Sequence, residues 1–154
     1  MTDRAIDRGG FRRPESVLVI IHTVALDCLL LERLVPVGFW QSVTGSLGWD
    51  ETPAEAAARE VREETGLVPD PLRDAGITRS FPILPAWRSR YAPEVRENRE
   101  HLWYLELAER TPVKLNPAEH RRAEWLSVKA AIAKASSWTN REGLEWLAME
   151  RLPR

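Results

Sequence analysis

The stretch that decides the fold of this 154-residue chain is GSLGWDETPAEAAAREVREETGL, residues 45–67. Its centre reads TPAE at residues 52–55, the order of an N-cap, a first-turn proline and a capping-box acid. A glycine at position 66 is placed to end a helix. The pattern therefore predicts a glycine-containing loop followed by a helix over residues 53–65.

Three glutamates lie on one side of this predicted helix. Glu60, Glu63 and Glu64 stand at i, i+3 and i+4, and the step of about 100° per residue places them within an arc of about 100°. Like charges this close repel one another unless a hard divalent cation such as Mg²⁺ or Mn²⁺ binds their oxygens. The glutamates alone would favour the alternative of a solvated acidic surface, with Arg59 paired to Glu55 or Glu63.

The apolar runs on either side of this helix predict the rest of one domain over residues 1–154, with residues 1–12 as a flexible tail. About 44% of the side chains are hydrophobic, which is enough for a single core in a chain of this length. The proline-rich and charged residues 69–100 are expected to form a long surface loop, part of it a lid. Apolar clusters predict strands over residues 16–21, 26–31, 39–44, 102–107 and 123–128, and helices over residues 128–135 and from Thr139 or Asn140 onward.

The charge balance argues against several classes of partner. The 22 basic and 23 acidic residues leave a net charge of -1, which disfavours non-specific binding to nucleic acid or to an anionic membrane. The single cysteine, Cys28, cannot form an internal disulfide, and no signal peptide or long apolar segment is recognisable. We therefore expect a cytoplasmic protein that acts on a small molecule, while its oligomeric state stays open.

The spacing within the deciding stretch resembles the Nudix box. Five residues separate Gly45 from Glu51, seven more lead to residues 59–61, and single residues then precede the glutamate pair 63–64 and the Gly-Leu pair 66–67. Nine specified residues at fixed spacing are far more specific than a lone glycine motif. By this resemblance the chain is identified as a member of the Nudix family, with Gly45, Glu51 and Gly66 at the loop positions of the box.

The Nudix resemblance implies an α/β (α+β) sandwich in which a mixed sheet lies between helices. It also implies hydrolysis of a nucleoside diphosphate linked to another moiety. Glu60 and Glu64 would be the main ligands of Mg²⁺, with Mn²⁺ as a substitute, and Glu63 would complete or support the site. Arg59 would orient a ligand, while Glu51 would brace the junction of loop and helix.

Outside the box, the chain contains Arg13-Pro14, FWQSVTGS at 39–46, RYAP at 90–93, Glu119-His120, Ser137-Trp138 and Asn140-Arg141. By these motifs, residues 13–147 resemble the branch of the family that hydrolyses dihydroneopterin triphosphate. In this branch an acidic residue at the position of Glu119 joins the metal site and could act as general base. The resemblance implies Mg²⁺-dependent cleavage to dihydroneopterin monophosphate and pyrophosphate, a step of folate biosynthesis.

The same resemblance implies substrate contacts at four places: Arg12 or Arg13, Arg33, Thr44 and Ser137. An arginine suits a triphosphate because its planar fork binds phosphate oxygens in pairs. The alternative for each arginine is an ordinary surface position, in which the side chain contacts only solvent or a neighbouring acid.

Trp40, one of seven tryptophans, is predicted to stack on the flat heterocycle of the substrate. Residues 48–50 depart from the usual pattern of the branch, so the loop before the helix is expected to have a shifted geometry. Two other functions remain open. One is hydrolysis of dATP or another nucleoside triphosphate, and the other is a Nudix-fold module that binds a nucleotide without cleaving it, against which the complete set of glutamates argues.

Overall fold

The structure is a computed structural model that describes residues 6–7 and 10–151. Its short 3-10 helix, Pro85–Arg90, lies between the seventh and eighth strands. Within the described residues the elements follow one another as β1 (Ile6–Asp7), β2 (Phe11–Arg12), β3 (Glu15–Thr23), β4 (Asp27–Arg33), β5 (Trp40–Gln41), β6 (Val43–Ser46), α1 (Pro53–Thr65), β7 (Leu72–Pro82), β8 (Glu97–Leu107), β9 (His120–Ser127), α2 (Val128–Lys134) and α3 (Trp138–Arg151).

A mixed seven-stranded sheet forms the frame of the molecule. Its main path is β5-β4-β3-β8-β7, with β6 paired to β3 and β9 paired to β4. Strands β3 and β8 run parallel from the pair Glu15 and Arg99 to the pair Thr23 and Leu107. The other pairings in this sheet are antiparallel.

Strand β3 is buried on both faces. Val17 and Val19 belong to the apolar cluster that α1 closes on one side of the sheet. The alternating residues Leu18 and Ile20 belong to the cluster that α2 and α3 close on the other side. Because successive side chains of a strand point to opposite faces, the helices cover both sides, and the predicted mixed sheet between helices is confirmed.

Helix α1 has the bounds that the sequence predicts. The Thr52 side chain accepts a hydrogen bond from the backbone of Glu55, and the Glu55 side chain accepts one from the backbone of Thr52, which completes the capping box. Gly66 ends the helix with φ of 72°, a left-handed conformation in which side chains other than glycine are strained.

The predicted long loop over residues 69–100 is wrong in extent. Nearly half of this segment is strand, because Leu72–Pro82 pairs with β8 at the edge of the sheet and β8 itself begins at Glu97. An edge strand needs fewer apolar residues than a central one, so its polar sequence concealed it. The connection that remains, residues 83–96, contains the 3-10 helix, and the lid predicted for it stays a prediction.

Two further boundaries differ from the sequence analysis. The strand predicted over residues 39–44 is divided at Ser42, whose backbone N–H donates to the Asn140 side chain at 2.7 Å. The last helix begins at Trp138, and its cap is Ser137 rather than Thr139 or Asn140, because the Ser137 hydroxyl accepts from the backbone of Asn140 at 3.2 Å.

The amino-terminal segment predicted as a flexible tail, residues 1–12, is described only in part. Ile6–Asp7 and Phe11–Arg12 pair as a small antiparallel sheet, while residues 1–5, 8 and 9 lie outside the described residues. None of the helices within residues 10–151 is long and apolar enough to cross a lipid bilayer.

Candidate active site

Arg59 lies at the centre of a web of ion pairs on α1. Its Nε and Nη2 donate to the two carboxylate oxygens of Glu51 at 2.7 and 2.8 Å. Its Nη1 donates to Glu60 at 2.6 Å and to Glu63 at 3.3 Å, and Nη2 also reaches the carbonyl of Ser46 at 3.0 Å. The paired carboxylates raise the pKa of Arg59, so this guanidinium is permanently charged.

The loop before α1 is held by side chains on both sides. The Glu51 carboxylate accepts the backbone N–H of Gly48 at 2.9 Å. Arg13 donates to the carbonyls of Gly48, Trp49 and Glu51 at 3.0, 3.3 and 3.0 Å. Arg13 therefore serves the loop itself, and of the two arginines considered for substrate it is Arg12 that stays a candidate.

Glu64 is the most deeply buried acid of the helix, with 1% of its surface exposed. Within the described residues neither carboxylate oxygen accepts a well-aligned hydrogen bond, and His120 Nε2 lies 3.7 Å from Oε1. Burial, followed by the negative charge of Glu60, raises the pKa of Glu64 well above its ordinary value. Glu60 is itself 8% exposed, so a solvated acidic surface is the wrong description of these two residues.

Gly45 on β6 is needed because Glu60 lies directly against it. A Cβ at position 45 would overlap the carboxylate carbon of Glu60, so only glycine allows this close approach. The strand and the helix thus place the Glu60 carboxylate at a fixed position beside the box loop.

These acids fit a hard divalent cation by their chemistry. An unpartnered buried carboxylate on Glu64, next to a second buried acid, is stabilised by a cation that accepts oxygen ligands. Among the described residues, no three acidic, histidine or cysteine side chains already enclose a metal position. Arg59 binds Glu60 and Glu63 in this arrangement, so these carboxylates would exchange a guanidinium contact for a metal contact.

Glu119 and Arg33 lie close enough to Glu64 for their charges to interact with it. The Glu119 carbonyl accepts the N–H of Leu34 at 3.0 Å, and its negative charge contributes to the raised pKa of Glu64. Burial lowers the pKa of Arg33, and the positive charge of Arg90 lowers it further, against the effect of Glu64 and Glu119. The fold therefore brings together two acids and two arginines from four separate segments.

His120 lies beside these charges. Burial and the positive charge of Arg33 lower its pKa to about 4, so the ring is neutral at pH 7. Its Nε2 is 3.3 Å from the side-chain nitrogen of Gln41. A neutral ring beside Glu64 adds no positive charge there, which leaves the carboxylate available for a cation.

The remaining predicted contact residues have structural partners. The Thr44 hydroxyl donates to the carbonyl of Val17 at 2.9 Å, and Ser137 caps α3. Arg12 Nη1 is 3.5 Å from the Ser46 hydroxyl.

The stacking role predicted for Trp40 disagrees with the structure. Its side chain is 7% exposed and belongs to the apolar core. Lys134 Nζ lies 4.1 Å from the ring centroid, and Arg122 lies 5.7 Å from it. A ring that is covered in this way has no open face for a heterocycle.

Comparison with known proteins agrees with this geometry. A family model described as NUDIX domain matches residues 12–147. The chain belongs to the Nudix family. It is 39% identical over 140 residues to the dihydroneopterin triphosphate diphosphatase of Escherichia coli K12, covering 88% of this chain and 92% of that relative. A relative of the same name from Haemophilus influenzae is 35% identical, with coverages of 88% and 87%.

Solved Nudix structures match the whole fold. The Escherichia coli dihydroneopterin triphosphate pyrophosphohydrolase superposes with a TM-score of 0.85 at 36% identity, covering 91% of this chain and 98% of that one. The NUDIX domain of Shewanella oneidensis NrtR, complexed with ADP ribose, has a TM-score of 0.70 at 19% identity, with coverages of 96% and 94%. At that identity the second likeness shows the fold alone.

Nudix hydrolases generally use divalent metal ions, which agrees with the buried acids of this chain. Arg90 and Gln41 are further residues near this site that the sequence does not identify individually, although both occur in the motifs quoted above. Their placement follows from strand pairing and from the connection before β8, and neither leaves a local signal in the sequence.

Proposed function

We propose that this Nudix protein hydrolyses dihydroneopterin triphosphate to dihydroneopterin monophosphate and pyrophosphate. The observation that carries the proposal is the 39% identity, over 88% of the chain, to a relative named for that activity. The buried acids on α1, together with Arg12 and Arg33, would supply the chemistry that such a cleavage needs. The cytoplasmic location and the absence of nucleic-acid partners stay predictions.

The proposed cation is Mg²⁺, with Mn²⁺ as a substitute. Glu60 and Glu64 would hold it, with Glu63 and Glu119 completing the set. The chemistry that the ion supplies when bound is neutralisation of phosphate oxygens and a lower pKa of a water molecule.

Substrate binding and proton transfer would be carried out by side chains of the protein. Arg33 and Arg12 would bind phosphate oxygens and hold the triphosphate in line with the attacking water. Glu119 would accept the proton of that water. The water oxygen forms a bond to one of the two phosphorus atoms of the cleaved anhydride. The bond between that phosphorus and the bridging oxygen breaks, so the bridging oxygen leaves with the phosphorus atom on its other side.

Arg59 would act by position. Its bonds to Glu51 and to the Ser46 carbonyl tie α1 to the box loop, and its Nη1 holds the Glu60 carboxylate in place until a cation replaces that contact. Its charge also lowers the cost of holding several acids together before the cation arrives.

The test is pyrophosphate release with Mg²⁺, comparing kcat/KM for dihydroneopterin triphosphate and dATP. A preference of about tenfold or more for the pterin, equal to about 1.4 kcal/mol of transition-state binding, supports the proposal. A preference for dATP would move the activity to nucleoside triphosphates. Binding without release from either compound would instead favour a module that does not cleave its ligand.

A further inference from the structure

A second group of buried charges lies on the other face of the sheet from α1. Ser46, Ser16, Glu100 and Arg79 are register partners in turn across β6, β3, β8 and β7, so they form one lateral row. Adjacent strands are separated by about 4.8 Å. The row therefore extends from the edge of the box loop toward the beginning of α3.

Three side chains of this group have buried polar atoms without a hydrogen-bond partner among the described residues. They are Glu100 Oε1, Asn98 Oδ1, and both Nε and Nη2 of Arg79. The Glu100 and Arg79 side chains are only 6% and 10% exposed, and their closest charged atoms are 3.7 Å apart. Buried polar atoms without hydrogen-bond partners lower the stability of a fold. We therefore expect a ligand to supply the missing partners.

The other atoms of these residues are fixed by the protein. Asn98 Nδ2 donates to the Ser16 hydroxyl at 2.7 Å, which directs Oδ1 elsewhere. Arg79 Nη1 donates to the carbonyl of Thr139 and to Glu142 at 3.0 and 3.2 Å. The atoms that remain without a partner are therefore two acceptors, Glu100 Oε1 and Asn98 Oδ1, and two donors, Nε and Nη2 of Arg79.

Each end of the row adjoins a residue that the sequence predicts as a substrate contact. At one end Arg12 reaches the Ser46 hydroxyl. At the other end the Thr139 hydroxyl is 3.4 Å from the hydroxyl of Ser137. The Arg79 guanidinium lies over the ring of Trp138, 5.7 Å from its centroid, and Trp138 is 47% exposed, so a partly exposed aromatic ring borders the buried charges.

We propose that Glu100, Arg79 and Asn98 recognise the hydrogen-bonding edge of the substrate heterocycle, an inference that rests on the proposed function. A 2-amino-4-oxo ring presents a ring N–H and an amino group, which Glu100 Oε1 and Asn98 Oδ1 can accept, and a carbonyl oxygen, to which Arg79 can donate. Guanine carries the same edge. Adenine has an amino group in place of the carbonyl and lacks that ring N–H, so it leaves these groups unpaired.

The test compares Glu100→Gln with Glu150→Gln. Glu150 pairs with another arginine of β7, Arg73, but on the exposed surface, so it controls for loss of a charge near the same strand. The first readout is quenching of tryptophan fluorescence by neopterin without its triphosphate and without metal. Glu100→Gln should weaken this binding by about tenfold or more, as expected when buried polar groups of a site lose their partner, and Glu150→Gln should not.

The second readout is kcat/KM for three triphosphates with Mg²⁺. Glu100→Gln should lower it by about tenfold or more for dihydroneopterin triphosphate and dGTP, while dATP changes by less than about threefold. An equal fall for all three, an unchanged pterin value, or no saturable quenching of the wild type by neopterin would overturn the inference. If the wild type cleaves none of the three, the proposed function fails instead, and the fluorescence titration still decides whether the heterocycle binds here.

Folding of the variant is checked by thermal melting. If Glu100→Gln does not fold, Arg79→Lys takes its place, because it keeps the charge and removes the donors that face Glu100. The same selective loss for pterin and guanine is expected from it, and equal loss for all substrates again speaks against recognition.

Discussion

Two buried arginines, one on each face of the sheet, differ in how their donors are used. Each nitrogen of the Arg59 guanidinium has a partner, with Glu51 and Glu60 taking the shortest bonds. Arg79 has two nitrogens without one among the described residues, and Glu100 lies at 3.7 Å. A satisfied network fixes its members, whereas an incomplete one at the same depth is stabilised by a ligand that completes it. Arg59 and the acids that it binds (the Arg59 centre) are therefore the part of the site that is fixed before substrate binds. Arg79 and Glu100 (the Arg79 centre) are the part that substrate completes.

The largest effect on turnover is expected from Glu64, the buried acid of α1 that forms no ion pair with Arg59. Glu64→Gln should lower kcat at saturating Mg²⁺ by about a thousandfold or more, because it removes a charged ligand from the metal position. The metal-free variant should be at least as stable as the wild type, since an unpartnered buried carboxylate is lost. Glu145→Gln on the exposed side of α3 is the control for turnover, and wild-type activity in Glu64→Gln would contradict the metal role.

A smaller loss of turnover is expected at Gly45, where β6 lies directly against Glu60 of α1. Gly45→Ala would push the Glu60 carboxylate from its position, and misplacement of a reacting group by about 1 Å can cost about a hundredfold in rate. Steady-state kinetics and thermal melting measure the two consequences. Gly38→Ala is the matched control, because Gly38 has φ of 83° and open space around it, so it should lose stability but keep its turnover.

The two arginines themselves give the direct test of the comparison. Arg59→Lys should lower the free energy of unfolding by about 2–3 kcal/mol, since a lysine cannot reproduce several charge-assisted hydrogen bonds at once. Arg79→Lys should cost about 1 kcal/mol or less, because two nitrogens of Arg79 have no partner to lose. Urea denaturation of both variants measures the difference, and equal losses would mean that the two centres are satisfied alike.

The smallest effect is a pH dependence. Burial raises the pKa of Glu100 in the folded protein, so its contribution to stability is present below pH 4.5 and is lost as pH rises through the folded pKa. Glu100→Gln should therefore gain stability relative to the wild type as pH rises, with a slope below about 1.4 kcal/mol per pH unit, the limit for one proton.

Glu106 offers a control of opposite sign for this slope. A hydrogen bond from Arg151 lowers the pKa of Glu106, so its contribution is present above pH 4.5 and is lost at lower pH. Glu106→Gln should therefore be less stable than the wild type at neutral pH and should approach it in acid. Urea denaturation from about pH 2 to about pH 8, a range that covers both sides of the ordinary pKa of a glutamate, follows both variants. If the stability of Glu100→Gln and of the wild type changed with pH in parallel, the raised pKa of the buried Glu100 would be contradicted.

Local signals explain what the sequence could predict. The bounds of α1 follow from a capping box and a terminal glycine that lie within the helix and its ends. The spacing of the glutamates also lies within one helix, so their common side could be predicted before any long-range contact was known.

Long-range pairing explains what the sequence could not predict. Trp40 is buried because its backbone pairs with Ser136, 96 positions away, and because Lys134 covers its ring. The Arg79 and Glu100 pair exists only through the register of β7 on β8. Strand β7 lies at the sheet edge with a polar composition, so no apolar pattern identified it.

The parallel pairing of β3 with β8 also bears on how the chain folds. Asn98 bonds to Ser16 across 82 positions of sequence, and closing such a distance must precede the gain from the contacts that it creates. On the ribosome, β3 would emerge long before its parallel neighbour is synthesised. The apolar residues of β3 would then stay exposed until residues 97–107 appear, which makes this nascent stage the one most open to aggregation and to chaperone binding.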